Sequence, residues 1–155
     1  MAMVFFAPKK TQGQQYNYVI LQAYSDVFHA YDFNRPATPY RQPFLFNHNR
    51  HNEVNLNLAS AGFKLINSKY RANIMFQAGT YVQDNLAAEQ SSLRSIQEAS
   101  IGLPLHKSRK WWFYAGIFPS HLGFENANSI ENMTLTRSLV AENSPYFLSG
   151  AALTY

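Results

Sequence analysis

The chain has 155 residues, 46% of them apolar and only 14% charged, and its 13 basic and 9 acidic side chains leave a net charge of +4. Such a length is compatible with one domain able to bury a core, and such an apolar content excludes a disordered chain. The absence of cysteine removes disulfides and thiolate metal sites, and the scattered bases argue against nucleic acid, because the one cluster, residues 106–110 ("HKSRK"), reads as a solvated turn.

Residues 1–15 are expected to be disordered or the remnant of a signal peptide. "MAMVFFA" is apolar but short, has no basic segment before it and is followed by Pro8-Lys9-Lys10. Beyond them, period-2 alternation recurs and helical periodicity is scarce. The first predicted strand runs from about Tyr18 to Phe33, with Val19, Leu21, Val27 and Tyr31 on one face and Gln22, Asp26 and Asp32 on the other. The second runs from about His51 to Leu65, where Glu53, Asn55 and Asn57 alternate with Val54, Leu56 and Leu58, and the small residues 59–62 suggest a bulge. The third, from about Lys69 to Gln83, sets Tyr70, Ala72, Ile74, Phe76 and Val82 against Lys69, Arg71, Asn73, Gln77 and Tyr81. A fourth, about Leu93–Leu105, opposes Ala99, Ile101 and Leu103 to Arg94, Glu98 and Ser100. A fifth runs from Trp111 to near Phe118. A sixth begins near Tyr146, with Leu148 and Ala152 at positions that would share the polar face.

No apolar run approaches the 18 or more residues of a membrane-spanning helix. The predicted strands are longer than the five or six residues usual in soluble sheets, and strands of about 9–11 residues cross a bilayer when tilted. The links between them alternate in length. Residues 66–68 and 106–110 are short; residues 34–50, 84–92 and 119–145 are long. Short turns at one end and long loops at the other is the pattern of an outer-membrane barrel. Trp111, Trp112, Tyr70, Tyr16 and Tyr18 would belong to one aromatic girdle, and Tyr31, Phe33, Phe44, Phe46 and Phe118 to the other. The fold class expected is therefore all-β, an antiparallel transmembrane barrel. Apolar side chains would face lipid and polar ones a wet lumen.

Five segments, "AYDFNRP", "FLFNHNRHNEVNLNLA", "AGTYVQDNLAAE", "AGIFPSHLGFE" and "LTRSLVAENSPYFLSGAALTY", together resemble the OmpL-like outer-membrane β-barrel porins, in the family's order and from about Ile20 to Tyr155. The resemblance implies a bacterial outer-membrane barrel of more than a dozen strands that passes small hydrophilic solutes by diffusion, with no catalysis and no cofactor. Residues 16–155 would then be the N-terminal part of such a barrel, an open portion of about six strands. Its partners would be those solutes and outer-membrane lipid; a homo-oligomer is left open. The expected pore-lining residues are Asp26, Asp32, Glu53, Asn55, Asn57, Lys69, Arg71, Asn73, Gln77, Tyr81 and Glu98. Residues 119–145 would form a constriction loop, with Glu125, Glu131, Arg137 and Glu142 set against lumen bases such as Lys69 and Arg71.

Two other functions compete. A soluble β-sandwich binding module would cover both faces of its strands with protein. A barrel-embedded lipid hydrolase would need Ser120 and His121 in contact, whereas adjacent residues on a strand diverge. A metal site at His48, His51 and Glu53 is disfavoured because positions 48 and 51 fall on opposite faces of a strand.

Overall fold

The computed structural model describes residues 17–155, so the expectations for residues 1–15 and for Tyr16 lie outside it. Six strands, β1 (Tyr18–His29), β2 (Val54–Ile66), β3 (Arg71–Ala78), β4 (Ile96–Pro104), β5 (Trp112–Pro119) and β6 (Phe147–Thr154), form one antiparallel sheet in chain order. In such a meander every second connection returns to the same end. Residues 67–70 and 105–111 therefore lie at one end, and the long segments 30–53, 79–95 and 120–146 at the other.

Residues paired across a ladder share a face, so the register assigns every side chain. One row reads Leu21, Phe63, Ile74, Ala99, Ile117 and Ser149; the next reads Val19, Leu65, Ala72, Ile101, Ala115 and Ala151. On the opposite face the rows are Ile20, Lys64, Asn73, Ser100, Gly116 and Gly150, then Tyr18, Ile66, Arg71, Gly102, Tyr114 and Ala152. The first face is apolar and open: Val19, Leu21, Val27, Val54, Phe76, Ile101 and Leu153 are all more than half exposed. An exposed apolar surface running across a whole sheet is far beyond what a soluble monomer carries, and it fits lipid.

The alternation expected for "NEVNLNL" breaks at one place. Asp26 pairs with Leu58 and Val27 with Leu56, which leaves Asn57 as the extra residue of a β-bulge. Asn57 and Leu58 are both fully buried on the Asp26 side, so Leu58 belongs to the core and not to the lipid face where alternation puts it. Downstream the parity is inverted: Ala59, Ala61, Phe63 and Leu65 turn outward and Ser60, Gly62 and Lys64 inward. The bulge thus precedes the small residues expected to carry it. Gly62 serves packing instead, since a Cβ there would meet Ile74 O at 2.0 Å and Met75 Sδ at 2.8 Å. A second bulge, between Met75–Glu98 and Phe76–Ile96, turns Gln97 inward, where it is buried beside Glu98.

The first four strands are also shorter than alternation suggested, and all six run 8–13 residues. β1 ends at His29, so Asp32 lies in the following loop. β3 ends at Ala78 because Gly79 takes φ +134° and passes so close to β2 that a Cβ would stand 2.3 Å from Asn57 O. A short helix, α1 (Thr80–Asn85), follows, and a one-turn helix, α2 (Ser91–Arg94), leads into β4. Tyr81 is therefore a helical residue with 0% exposure, not part of a strand wall. It packs with Leu58, Val82 and Ala127, and Tyr24, Phe46, Leu86, Tyr146 and Phe147 close around them. This core sits at the long-loop end, between the inward face of the sheet and the loops folded over it.

Candidate functional site

A hollow of about 470 Å³ lies on the inward face, and every strand reaches it: Gln22 from β1, Lys64 from β2, Arg71 and Asn73 from β3, Glu98 and Ser100 from β4, Tyr114 from β5, Thr154 from β6. One hollow touched by six consecutive strands requires the sheet to curve around it, so this face is concave. The Asn73 amide donates to the Glu98 carboxylate. Arg71 Nη1 donates to Tyr114 Oη at 3.0 Å, and its guanidinium carbon lies 3.8 Å from the centroid of the Trp112 ring. Trp112 is itself held by a 2.9 Å bond from Nε1 to the Arg109 carbonyl. Lys64 is absent from the residues expected on the polar face. The bulge at Asn57 brings it there, and strict alternation through β2 hides it.

Nearer the long loops the concave face is covered. Asp26 Oδ2 is 2.7 Å from His48 Nε2 and accepts from Asn57 Nδ2 at 2.9 Å and Ser129 Oγ at 3.1 Å. The Ser129 N–H also donates to Tyr24 Oη at 3.0 Å. These two bonds lay a 3₁₀ turn, Ser129–Glu131, against β1, far from it in sequence. His48 donates its own N–H to Asn57 Oδ1 at 3.0 Å. Further along, Arg137 Nε faces Glu142 Oε1 at 3.4 Å with both side chains shut off from solvent. Glu142, in the one-turn helix α3 (Leu139–Glu142), accepts the Phe46 N–H at 3.3 Å. Arg137 also lies 3.7 Å above Tyr146 and 5.0 Å from Tyr81. Burial raises the pKa of both tyrosines, against the lowering effect of Arg137. Asp84 joins the same shell through Arg50 at 3.0 Å and Asn49 at 3.3 Å.

The sequence-predicted residues thus separate into three groups. Arg71, Asn73 and Glu98 gather at the open hollow. Asp26, Asn57, Gln77, Arg137 and Glu142 point inward but are consumed by loop docking; Gln77, for example, donates to the Arg94 carbonyl at 3.0 Å. The others sit at the two ends. Lys69 is exposed in the tight turn, Glu53 accepts from Asn55 at 2.8 Å at the rim, and Asp32 accepts the Asn34 N–H at 2.9 Å. In the long β5–β6 loop, the Ser138 hydroxyl and N–H hold the Glu125 carboxyl below its usual pKa, and Glu131 accepts from the Asn126 amide. His51 Nδ1 accepts the Asp32 N–H at 2.9 Å. The Ser120 hydroxyl accepts the Leu122 N–H, 3.1 Å away. A Ser–His contact occurs instead between Ser108 and His106 at 3.1 Å, where the same Nδ1 also accepts the Ser108 N–H and closes an exposed turn.

An antiparallel meander with an apolar convex face, a polar concave face, tight turns at one end and packed loops at the other is the wall of a membrane-spanning β-barrel of the porin type. The family model described as "Putative beta-barrel porin-2, OmpL-like" matches residues 18–155, and the chain belongs to that family. No curated protein and no solved structure matches it.

Proposed function

We propose that the concave face lines a water-filled channel through the bacterial outer membrane, and that small hydrophilic solutes diffuse through it without chemical change or cofactor. The observation that carries this reading is the division of faces: charged and amide groups converge on a hollow, while the reverse side of the same strands is predominantly apolar and open, broken only by small or terminal polar residues such as Ser25, His29 and Ser149. A soluble binding module would bury that surface. A lipid hydrolase would place Ser120 against His121, whereas the Ser120 hydroxyl bonds Leu122. The tight turns belong on the periplasmic side and the long loops outside.

Solute would meet Lys64, Arg71, Asn73 and Glu98 in the hollow. The β5–β6 loop, pinned to Tyr24 and Asp26 and locked by Arg137–Glu142, narrows the passage at the outer end, with Glu125 and Glu131 on its surface. The edges of β1 and β6 must each find a strand partner, because unpaired backbone groups cost several kcal/mol each in hydrocarbon. The test is reconstitution of the protein, extracted from outer membranes in detergent, into planar bilayers. Ohmic conductance steps are expected, with polymers of increasing size excluded. Protein that shows the heat-modifiable migration of a folded barrel yet never conducts would overturn the reading.

A further inference from the structure

We propose that the hollow beside Arg71 is an oxyanion subsite, shaped to hold the carboxylate or phosphate group of a small organic anion. Its role in permeation rests on the channel reading; its existence does not.

Two cations, Lys64 and Arg71, line the hollow, and the charge of Lys64 also acts on the Glu98 carboxylate, which leaves Arg71 the cation without an ion-pair partner among the described residues. Lys64 pairs with Asn73 across the β2–β3 ladder and Arg71 lies two residues before Asn73 on the same face. They are diagonal neighbours, their Cα atoms about 7–8 Å apart, and one oxyanion can sit between their heads. The acid of the hollow, Glu98, is in the next row, paired with Met75, and the Asn73 amide engages its carboxylate. Arg71 is fixed before any ligand arrives. Tyr114 takes one of its five N–H donors and Trp112 supports one face, so the rest of the fork is presented at a fixed angle. That rigidity is the mark of a built site rather than a solvated base, because little side-chain entropy is left to lose on binding.

The construction requires Gly102. Arg71, Gly102 and Tyr114 lie in one row across three strands, and a Cβ at 102 would come 2.4 Å from Tyr114 Cε1. The missing side chain lets the Tyr114 ring lie over the glycine and reach Arg71. Gln22, Ser100 and Thr154 add neutral donors around the hollow. The field points the same way. The tight-turn end carries Lys69, Lys107, Arg109 and Lys110, and apart from Glu98 every acidic residue of the chain lies toward the long-loop end. Anions are therefore drawn to the half of the sheet that holds this hollow.

The test uses the folded protein in detergent, with Trp111→Phe as the parent so that Trp112 alone reports. Sodium succinate and sodium phosphate are titrated separately against sodium chloride at constant ionic strength, and heat-modifiable migration verifies the fold of each variant. A saturable change in Trp112 emission is expected. Lys64→Gln should raise the half-saturating concentration about tenfold, through loss of a charge-assisted bond. Tyr114→Phe should raise it severalfold with net charge unchanged, a result that loose electrostatic attraction would not produce. The anion with the lower half-saturating concentration identifies the group preferred. Absence of saturation with both anions, or variants that titrate like the parent, overturns the subsite. A protein that conducts but does not titrate keeps the channel and loses the subsite; one that titrates but does not conduct does the reverse.

Discussion

Replacing Arg137 with Ala should unlock the β5–β6 loop. The Arg137–Glu142 pair is 3.4 Å apart with both side chains wholly buried. At an effective dielectric of about 20 the attraction is about 5 kcal/mol, most of which offsets the desolvation of the two ions. Removing the guanidinium leaves Glu142 charged and buried with the Phe46 N–H as its remaining donor from the neighbouring loop. It also strips the cation from the faces of Tyr146 and Tyr81. Breaking a buried pair on one side costs about 3–5 kcal/mol. The double variant Arg137→Met/Glu142→Gln should recover most of that loss, because no unpaired charge remains. Urea titration in lipid vesicles, followed by Trp fluorescence, measures the global cost, and limited proteolysis within residues 120–146 measures release of the loop. If Arg137→Ala costs less than about 1 kcal/mol, leaves the loop protease-resistant and shows no coupling to Glu142→Gln, the pair does not hold the loop and the argument fails.

Three further outcomes follow from the same structure. Ile74→Arg, in the middle row of the apolar face, should cost about 2–4 kcal/mol, while Asn73→Arg on the opposite face should fold almost normally; equal costs in vesicle unfolding would refute the assignment of faces. Gly102→Ala should destabilise by about 1–3 kcal/mol, because the new methyl displaces the Tyr114 ring, and should lower anion preference measured as the reversal potential in a salt gradient. In alkali the loop cluster should weaken. Tyr81 and Tyr146 have folded pKa values raised by burial, so their contribution is complete below the ordinary tyrosine pKa of about 10 and declines as pH rises above it, where the unfolded chain ionises first. Absorbance at about 295 nm should show these two phenols ionising after the exposed ones, and simultaneous ionisation of all would contradict their burial.

Much of the barrel wall is legible in the chain by itself. Side chains alternate with period 2 on any strand, so "RANIMFQA" declares its lipid and water faces before any neighbour is known. Loop lengths likewise separate the two ends, since a tight turn and a long loop cannot exchange places in a meander. What alternation could not carry is a change of phase. The bulges at Asn57 and Gln97 arise from how two strands meet, and each shifts the parity of everything beyond it; Leu58 moves into the core and Lys64 into the hollow for that reason alone. The end of β3 was equally hidden, because the alternation of Thr80, Tyr81 and Val82 continues through Gly79, and only the close passage of Asn57 forces the chain to turn there. The site follows the same division. Composition shows that bases outnumber acids, but the rigid Arg71–Tyr114–Trp112 arrangement joins residues about 40 apart and exists only because Gly102 falls between two of them in the assembled sheet. Local pattern specifies the direction in which a side chain points; tertiary registration decides what it points at.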